Sequence, residues 1–277
     1  MSTTNGKPVI SGPIAAHFLG TFDWYDDDRM INPTDGIIAR CDFGKVDMLL
    51  VSWCNALGGH VSYGDNPNHD PRVVQSIYRQ IVETARRKNP NIIILIASNF
   101  GGDGVVTIAG ATKDTASTFA ADLEKMVRDN DFDGFCLDYE SDPADETRMT
   151  NFAEAIVKAM PDKLLGISPA PTNGLTTGNV GLFDYVLPQT YDHKGFTNWV
   201  LGDALEAVIG KDRVLLGRNI EGEPDPIGGT IRGVDPLADG YGGVFEWRVD
   251  QDTRTGPGDT PTFQLLPELW KWVHPGK

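Results

Sequence analysis

A parallel α/β barrel, a single (β/α)8 TIM barrel without an inserted α+β domain, is the fold class this sequence predicts, on three observations. Short apolar runs alternate with helix-period segments along the 277 residues, which is the pattern of repeated βαβ units. Several runs, such as Ile92-Ile93-Ile94-Leu95-Ile96, are apolar at every position, as strands covered on both faces must be. Polar, glycine and aromatic residues gather where the runs end, and barrels carry their functional groups at the C-terminal ends of their strands. The length is normal for one such barrel. An open doubly wound sheet is the alternative, but no glycine-rich nucleotide fingerprint follows any strand. One domain over 1–277 is expected, with the barrel over about 12–275.

In chain order, strands are expected at 14–18, 48–53, 92–97, 134–140, 164–168, 185–189, 214–216 and 243–247. Helices fit between them. Asp70 caps one and Pro71 occupies its first position. Val74, Ile77, Tyr78, Ile81 and Ala85 then recur at helical spacing, and Arg86-Arg87-Lys88 suits the negative end of the dipole. Segments 117–128 and 146–160 read similarly, the latter with the stripe Phe152, Ile156 and Met160. A last helix covers 265–273.

A formal charge of -15 argues against nucleic acid or an anionic membrane surface as partner. No run approaches the roughly 18 apolar residues that span a bilayer. Residues 1–12 hold no apolar leader. The expected location is outside the cell if a leader once preceded them, and the cytoplasm otherwise. A monomer is expected. Cys41, Cys54 and Cys136 fit neither a disulfide framework nor a zinc pattern; a bridge between Cys41 and Cys54 stays open. His17, His60, His69, His193 and His274 share no ligand spacing on one element, so no metal or other cofactor is expected. Asp26-Asp27-Asp28 reads as a solvated loop, because three consecutive acids cannot all face one ion.

The most informative run is Asp133-Gly134-Phe135-Cys136-Leu137-Asp138-Tyr139-Glu140. Alternate side chains of a strand share a face, so Cys136, Asp138 and Glu140 point one way. Two carboxylates on one face of an apolar strand are expensive to bury, and their proximity raises at least one pKa, as a general acid requires. Other strand ends add Ser98-Asn99-Phe100-Gly101-Gly102, Gln189-Thr190-Tyr191-Asp192 and Glu246-Trp247. Together they have the character of a sugar-binding cleft.

These motifs resemble glycoside hydrolase family 18, the chitinases and endo-β-N-acetylglucosaminidases. The family signature Asp-Gly-x-Asp-x-Asp-x-Glu is matched by 133–140, its serine-glycine motif by 98–102, its tyrosine motif by 189–192 and its last-strand tryptophan by Trp247. The resemblance covers about 14–252, in the family's order. It implies substrate-assisted hydrolysis of β-1,4-linked N-acetylglucosamine, in which the substrate's own acetamido group is the nucleophile. Glu140 would be the general acid and base. Asp138 would orient the acetamido nitrogen and stabilise the cationic intermediate, and Tyr191 would bind the acetamido oxygen. Trp247 would floor the site, with Gln189, Asp192, Gly101 and Gly102 at the substrate. Asp133, Cys136 and Ser98 would support this set from behind.

Cys136 departs from the signature, whose middle residue is aspartate. A thiol, with a reference pKa of about 8.5, carries no charge near neutrality, so Asp138 loses an anionic neighbour. Cys136 then reads as a small buried residue filling space. Residues 220–241, rich in Gly, Pro and Asp, are too short for the small domain that some family members insert there. An open groove that favours internal cleavage is expected. Two further readings stand beside a chitinase: an endo-β-N-acetylglucosaminidase acting on the chitobiose core of N-glycans, and a non-catalytic sugar-binding barrel.

Overall fold

The computed structural model describes residues 2–4, 6–21, 28–57, 59–64, 69–99, 111–139, 146–169, 175–191, 201–220, 227–231, 233–252 and 261–277. A two-stranded antiparallel hairpin, β1 (Ser2–Thr4) and β2 (Lys7–Val9), precedes the barrel. The barrel strands are β3 (Ile14–Gly20), β4 (Met48–Leu57), β6 (Ile93–Asn99), β7 (Gly134–Tyr139), β8 (Leu164–Pro169), β9 (Tyr185–Val186), β10 (Leu215–Asn219) and β11 (Gly243–Trp247). They lie in the order β10-β11-β3-β4-β6-β7-β8-β9. All neighbours in that order are parallel. A parallel bridge from Val186 to Val214 joins the two ends into a ring. The short strand β5 (His60–Tyr63) turns back antiparallel onto the overhanging end of β4.

Strand alternation sorts the apolar side chains into two layers. Ile14, Ala16 and Phe18 fill the lumen with Leu50, Leu95 and Phe245. Ala15, Leu49, Ile94, Ile96, Phe135 and Leu137 face outward, under the helices. Those helices are α1 (Asp28–Ile31), α2 (Ile37–Arg40), α3 (Pro71–Lys88), α4 (Lys113–Asp129), α5 (Glu146–Ala159), α6 (Asp203–Ile209) and α7 (Leu265–Val273). The Asp70 carboxylate accepts the Arg72 N–H at 2.9 Å to start α3. Four residues before the expected 117 start, α4 opens with a reciprocal cap. The Thr112 hydroxyl accepts the Thr115 N–H, and the Thr115 hydroxyl accepts the Thr112 N–H.

One device repeats at the N-terminal end of the barrel. Asp47, Asp133 and Asp184 each stand just before a strand and clamp the neighbouring one. Their carboxylates accept the backbone N–H of Ala15, Ile94 and Leu165, each at 2.8 Å. The N–H of each aspartate in turn reaches the carbonyl of the same partner residue, at 2.7–3.0 Å. A cationic or imidazole group backs each one: His274 at 2.7 Å from Asp47, Arg86 at 3.2 Å from Asp133, and Lys7 at 2.7 Å from Asp184. The hairpin β1–β2 thus serves to bring Lys7 to the barrel floor. Beside Asp133, Gly134 allows a close approach of chains, because a Cβ there would sit 2.1 Å from the Leu164 carbonyl oxygen.

Three boundaries differ from expectation. β9 is regular strand only over Tyr185–Val186, not through 189, although the N–H groups of Leu187 and Gln189 still reach the Ile167 and Pro169 carbonyls of β8. Strand β10 runs three residues past the expected 216, since Gly217, Arg218 and Asn219 continue the pairing with Phe245, Glu246 and Trp247. And β4 runs on to Leu57, its outer end paired with β5 rather than stopping at Trp53. Between β10 and β11, the described residues form turns and one antiparallel bridge, Ile231 to Val234. The three cysteines are free and buried; burial pushes the Cys54 thiol up to about 12. Of the Asp26-Asp27-Asp28 loop, residues 26 and 27 lie outside the described residues, and Asp28 begins α1.

Candidate active site at the strand C-termini

Strand β7 delivers Asp138 to the C-terminal end of the lumen. Register places it beside Ser168 of β8 and across from Asn99 of β6. Asp138 is only 5% exposed, so its charge must be met by protein groups. Gln189 does this: its side-chain amide donates to Asp138 Oδ1 at 2.7 Å, a buried charge-assisted bond. The same amide nitrogen lies 3.5 Å from the Ser168 carbonyl oxygen. Tyr185 and Leu187 face the lumen, so alternation turns Gln189 inward too, while its own N–H still reaches the Pro169 carbonyl at 3.3 Å.

Cys136 sits one lumen-facing position before Asp138 on the same strand and is fully buried. Burial, and then the charge of Asp138, hold its thiol well above the ordinary range. The residue is therefore a neutral filler. Opposite it on β8 is Gly166, where a Cβ would lie 3.4 Å from the Cys136 sulfur. A small residue facing a small one leaves Asp138 with no acidic neighbour from position 136.

An aromatic wall completes the mouth. Trp247, at the end of β11, stacks on Trp53 of β4 with centroids 5.4 Å apart and planes 28° from parallel. Phe18 meets Trp247 edge-on at 5.3 Å and Phe245 at 5.7 Å. Tyr191 packs edge-on against Phe245 at 5.9 Å. Its turn is anchored by the Thr190 hydroxyl, which donates to the Gly217 carbonyl at 2.6 Å. Trp53 is 5% exposed, whereas Trp247 and Tyr191 are half-buried. Trp53 is thus the underlay and Trp247 the accessible ring. The apolar faces of such rings suit the C–H face of a sugar.

The structure brings Asp138, Cys136, Gln189, Tyr191 and Trp247 to one end of the lumen. Glu140, Asp192, Gly101 and Gly102 lie outside the described residues. Two expected supporting residues are elsewhere. Asp133 is at the barrel floor, five residues before Asp138 and roughly 16 Å away along an extended strand, where it clamps Ile94. Ser98 pairs in register with Leu137, on the outward face with Ile96, because alternation gives the lumen position to Ala97. Sequence reasoning missed Trp53, Phe18 and Phe245. A tryptophan ending the second apolar run was a readable signal, since bulky aromatics at strand C-termini line barrel mouths.

Comparison with known proteins agrees with this geometry. The family model described as glycosyl hydrolases family 18 matches residues 21–210. No curated protein matches the chain in sequence. Among solved structures, a fungal endo-β-N-acetylglucosaminidase of glycosyl hydrolase family 18 superposes with a TM-score of 0.69. It is 18% identical, and the match covers 96% of this chain and 99% of that one. A chitinase from Bacteroides thetaiotaomicron gives a TM-score of 0.67 at 16% identity, covering 95% and 97%. A family 18 chitinase from Cycas revoluta, solved in complex with (GlcNAc)3, gives 0.65 at 16% identity, covering 94% and 99%. At these identities the likeness is one of fold.

Proposed function

Since the chain belongs to glycosyl hydrolase family 18, we propose that it hydrolyses β-1,4-linked N-acetylglucosamine oligomers and chitin, with retention, by substrate-assisted catalysis. The observation that carries this reading is the buried Asp138 carboxylate held by the Gln189 amide at 2.7 Å, at the same end of the lumen as the half-buried Trp247. A fixed anion in a site that also holds an aromatic floor is what an acetamido sugar needs when its own carbonyl oxygen attacks the anomeric carbon. The carboxylate accepts the acetamido N–H and offsets the positive charge that develops on the oxazolinium ring. Gln189 spends one N–H on Asp138 and so keeps that oxygen aimed. Tyr191 binds the acetamido oxygen, and Trp247 carries the sugar's apolar face.

Glu140, two residues after Asp138 in the sequence, protonates the leaving oxygen and then activates water. Asp192, Gly101 and Gly102 contact the flanking sugars. Short turns between β10 and β11 support an open groove and internal cleavage. The protein acts as a monomer on a carbohydrate, and a location outside the cell fits such a substrate.

Assaying wild type and Glu140→Gln on chitin oligomers beside a high-mannose glycopeptide tests the reading. Cleavage of the oligomers by the wild type alone supports it. Cleavage of the glycopeptide alone would transfer the chemistry to the N-glycan core, and sugar binding without cleavage of either would make the barrel a lectin.

A further inference from the structure

On the outward face of three adjacent strands, a buried charged cluster lies directly behind Trp247. Glu246 of β11 is 0% exposed and stands in register with Arg218 of β10 and His17 of β3. Arg218 Nη1 donates to Glu246 Oε1 at 2.7 Å. His17 Nδ1 lies 3.2 Å from Glu246 Oε2. Both partners are buried, at 1% and 0% exposure, and the Arg218 guanidinium lies 5.8 Å from the Trp272 ring of α7. Such a cluster is a poor device for stability alone, because apolar side chains of similar volume commonly do as well. What it supplies is direction: one carboxylate hydrogen-bonded to Arg218 on β10 and in contact with His17 on β3 fixes the height of β11 against both of its neighbours.

The residue after Trp247 is fixed as well. Arg248 Nε lies 3.4 Å from Asp250 Oδ2, while Asp250 Oδ1 accepts the Gly20 N–H at 2.6 Å. The Trp247 carbonyl takes the Ile220 N–H at 2.7 Å. Trp247 is therefore a side chain whose two sequence neighbours are both tied to buried ionic partners, while its ring rests on Trp53 at 5.4 Å.

We propose that Glu246, through Arg218 and His17, is a positioning residue that sets the ring of Trp247 on Trp53 and so holds the sugar floor in place. The proposal rests on the reading of Trp247 as that floor, but its geometric half does not.

The stacked indole pair gives a readout of its own, an exciton couplet in circular dichroism, assigned by its loss in Trp53→Phe. Two variants test the clamp. Glu246→Gln keeps the shape and removes the charge. The double variant Arg218→Met with Glu246→Leu removes the Arg218–Glu246 ion pair as a unit, so neither of those two charges is left buried without the other. In both, the couplet is expected to collapse in a protein that still melts cooperatively. KM for chitotetraose should rise about three- to tenfold, the range that one aromatic contact supports, and Glu246→Asp should restore part of each signal. An unchanged couplet in either folded variant overturns the proposal, whatever happens to the melting temperature. A collapsed couplet with unchanged KM overturns it too. Should the wild type neither bind nor cleave chitotetraose, the sugar reading fails by itself, and the couplet still decides whether Glu246 places Trp247.

Discussion

Replacing Gln189 with leucine removes a buried donor to Asp138 without adding bulk or charge. The bond is 2.7 Å long, and both residues are nearly inaccessible, at 2% and 5% exposure. A hydrogen bond from a neutral donor to a buried carboxylate is worth about 1.5–3 kcal/mol. With 1.36 kcal/mol per decade of rate, the loss in kcat/KM is about ten- to a hundredfold. Because the aimed oxygen matters most as the oxazolinium charge develops, the loss should fall on kcat more than on KM. Gln189→Glu is the harsher control. Two carboxylates about 2.7 Å apart repel by roughly 6 kcal/mol even at an effective dielectric of 20, so the pair must hold a proton, and activity should recover only toward acid. Initial rates on a chromogenic chitobioside between about pH 4 and 8, with folding checked by circular dichroism, measure both variants. A folded Gln189→Leu protein within about twofold of wild type would refute the reasoning that this amide aims Asp138.

Cys136→Asp restores the missing charge one lumen position before Asp138. At roughly 6 Å and an effective dielectric of 20 the two acids repel by nearly 3 kcal/mol, about two pK units. The pH–rate profile should gain an ionisation shared by the pair, and an unchanged profile would remove Cys136 from the electrostatic account. At the barrel floor, burial raises the Asp133 carboxyl above its ordinary value, ahead of the lowering by Arg86. Its folded value exceeds its unfolded one, so the stability it contributes is complete only below about 3.9 and fades as pH rises through the folded value. Asp133→Asn, which keeps an acceptor for Ile94 and stays neutral at every pH, should therefore melt near wild type in acid and at or above it at neutral pH, with a flatter pH dependence. Asp133→Ala should lose about 1–3 kcal/mol by stranding the Ile94 N–H; equal melting curves for the two would contradict the clamp. Gly134→Ala should lose several kcal/mol in urea unfolding, since its Cβ would meet the Leu164 carbonyl at 2.1 Å.

Much of the barrel was legible because both periodicities were strong. Runs such as Ile92 to Ile96 are apolar on both faces and could only be covered strands, and Asp70-Pro71 announced α3 to the residue. What was not legible depended on pairing rather than pattern. Arg218 looks like a loop residue, yet it extends β10 with Glu246, already inside the expected last strand, as its buried partner. Ser98 was placed near the site by motif, yet a shift of one position along a strand reverses the face. Asp133, first in the signature, serves the floor of the barrel, a role visible only once Asp47 and Asp184 repeat its geometry on other strands. Trp53 could have been read as a strand-end aromatic, but nothing in the sequence says that it lies against Trp247.

Chitotetraose incubated with wild type and with Glu140→Gln, with products followed by mass spectrometry and anomeric configuration by NMR, decides whether this barrel is a substrate-assisted hydrolase. The wild type should release shorter oligomers whose new reducing ends appear first as the β anomer. Glu140→Gln should bind the tetramer yet turn over about a hundred- to ten-thousandfold more slowly. Equal inactivity of the two proteins with intact binding, or turnover undiminished by the substitution, would contradict the account.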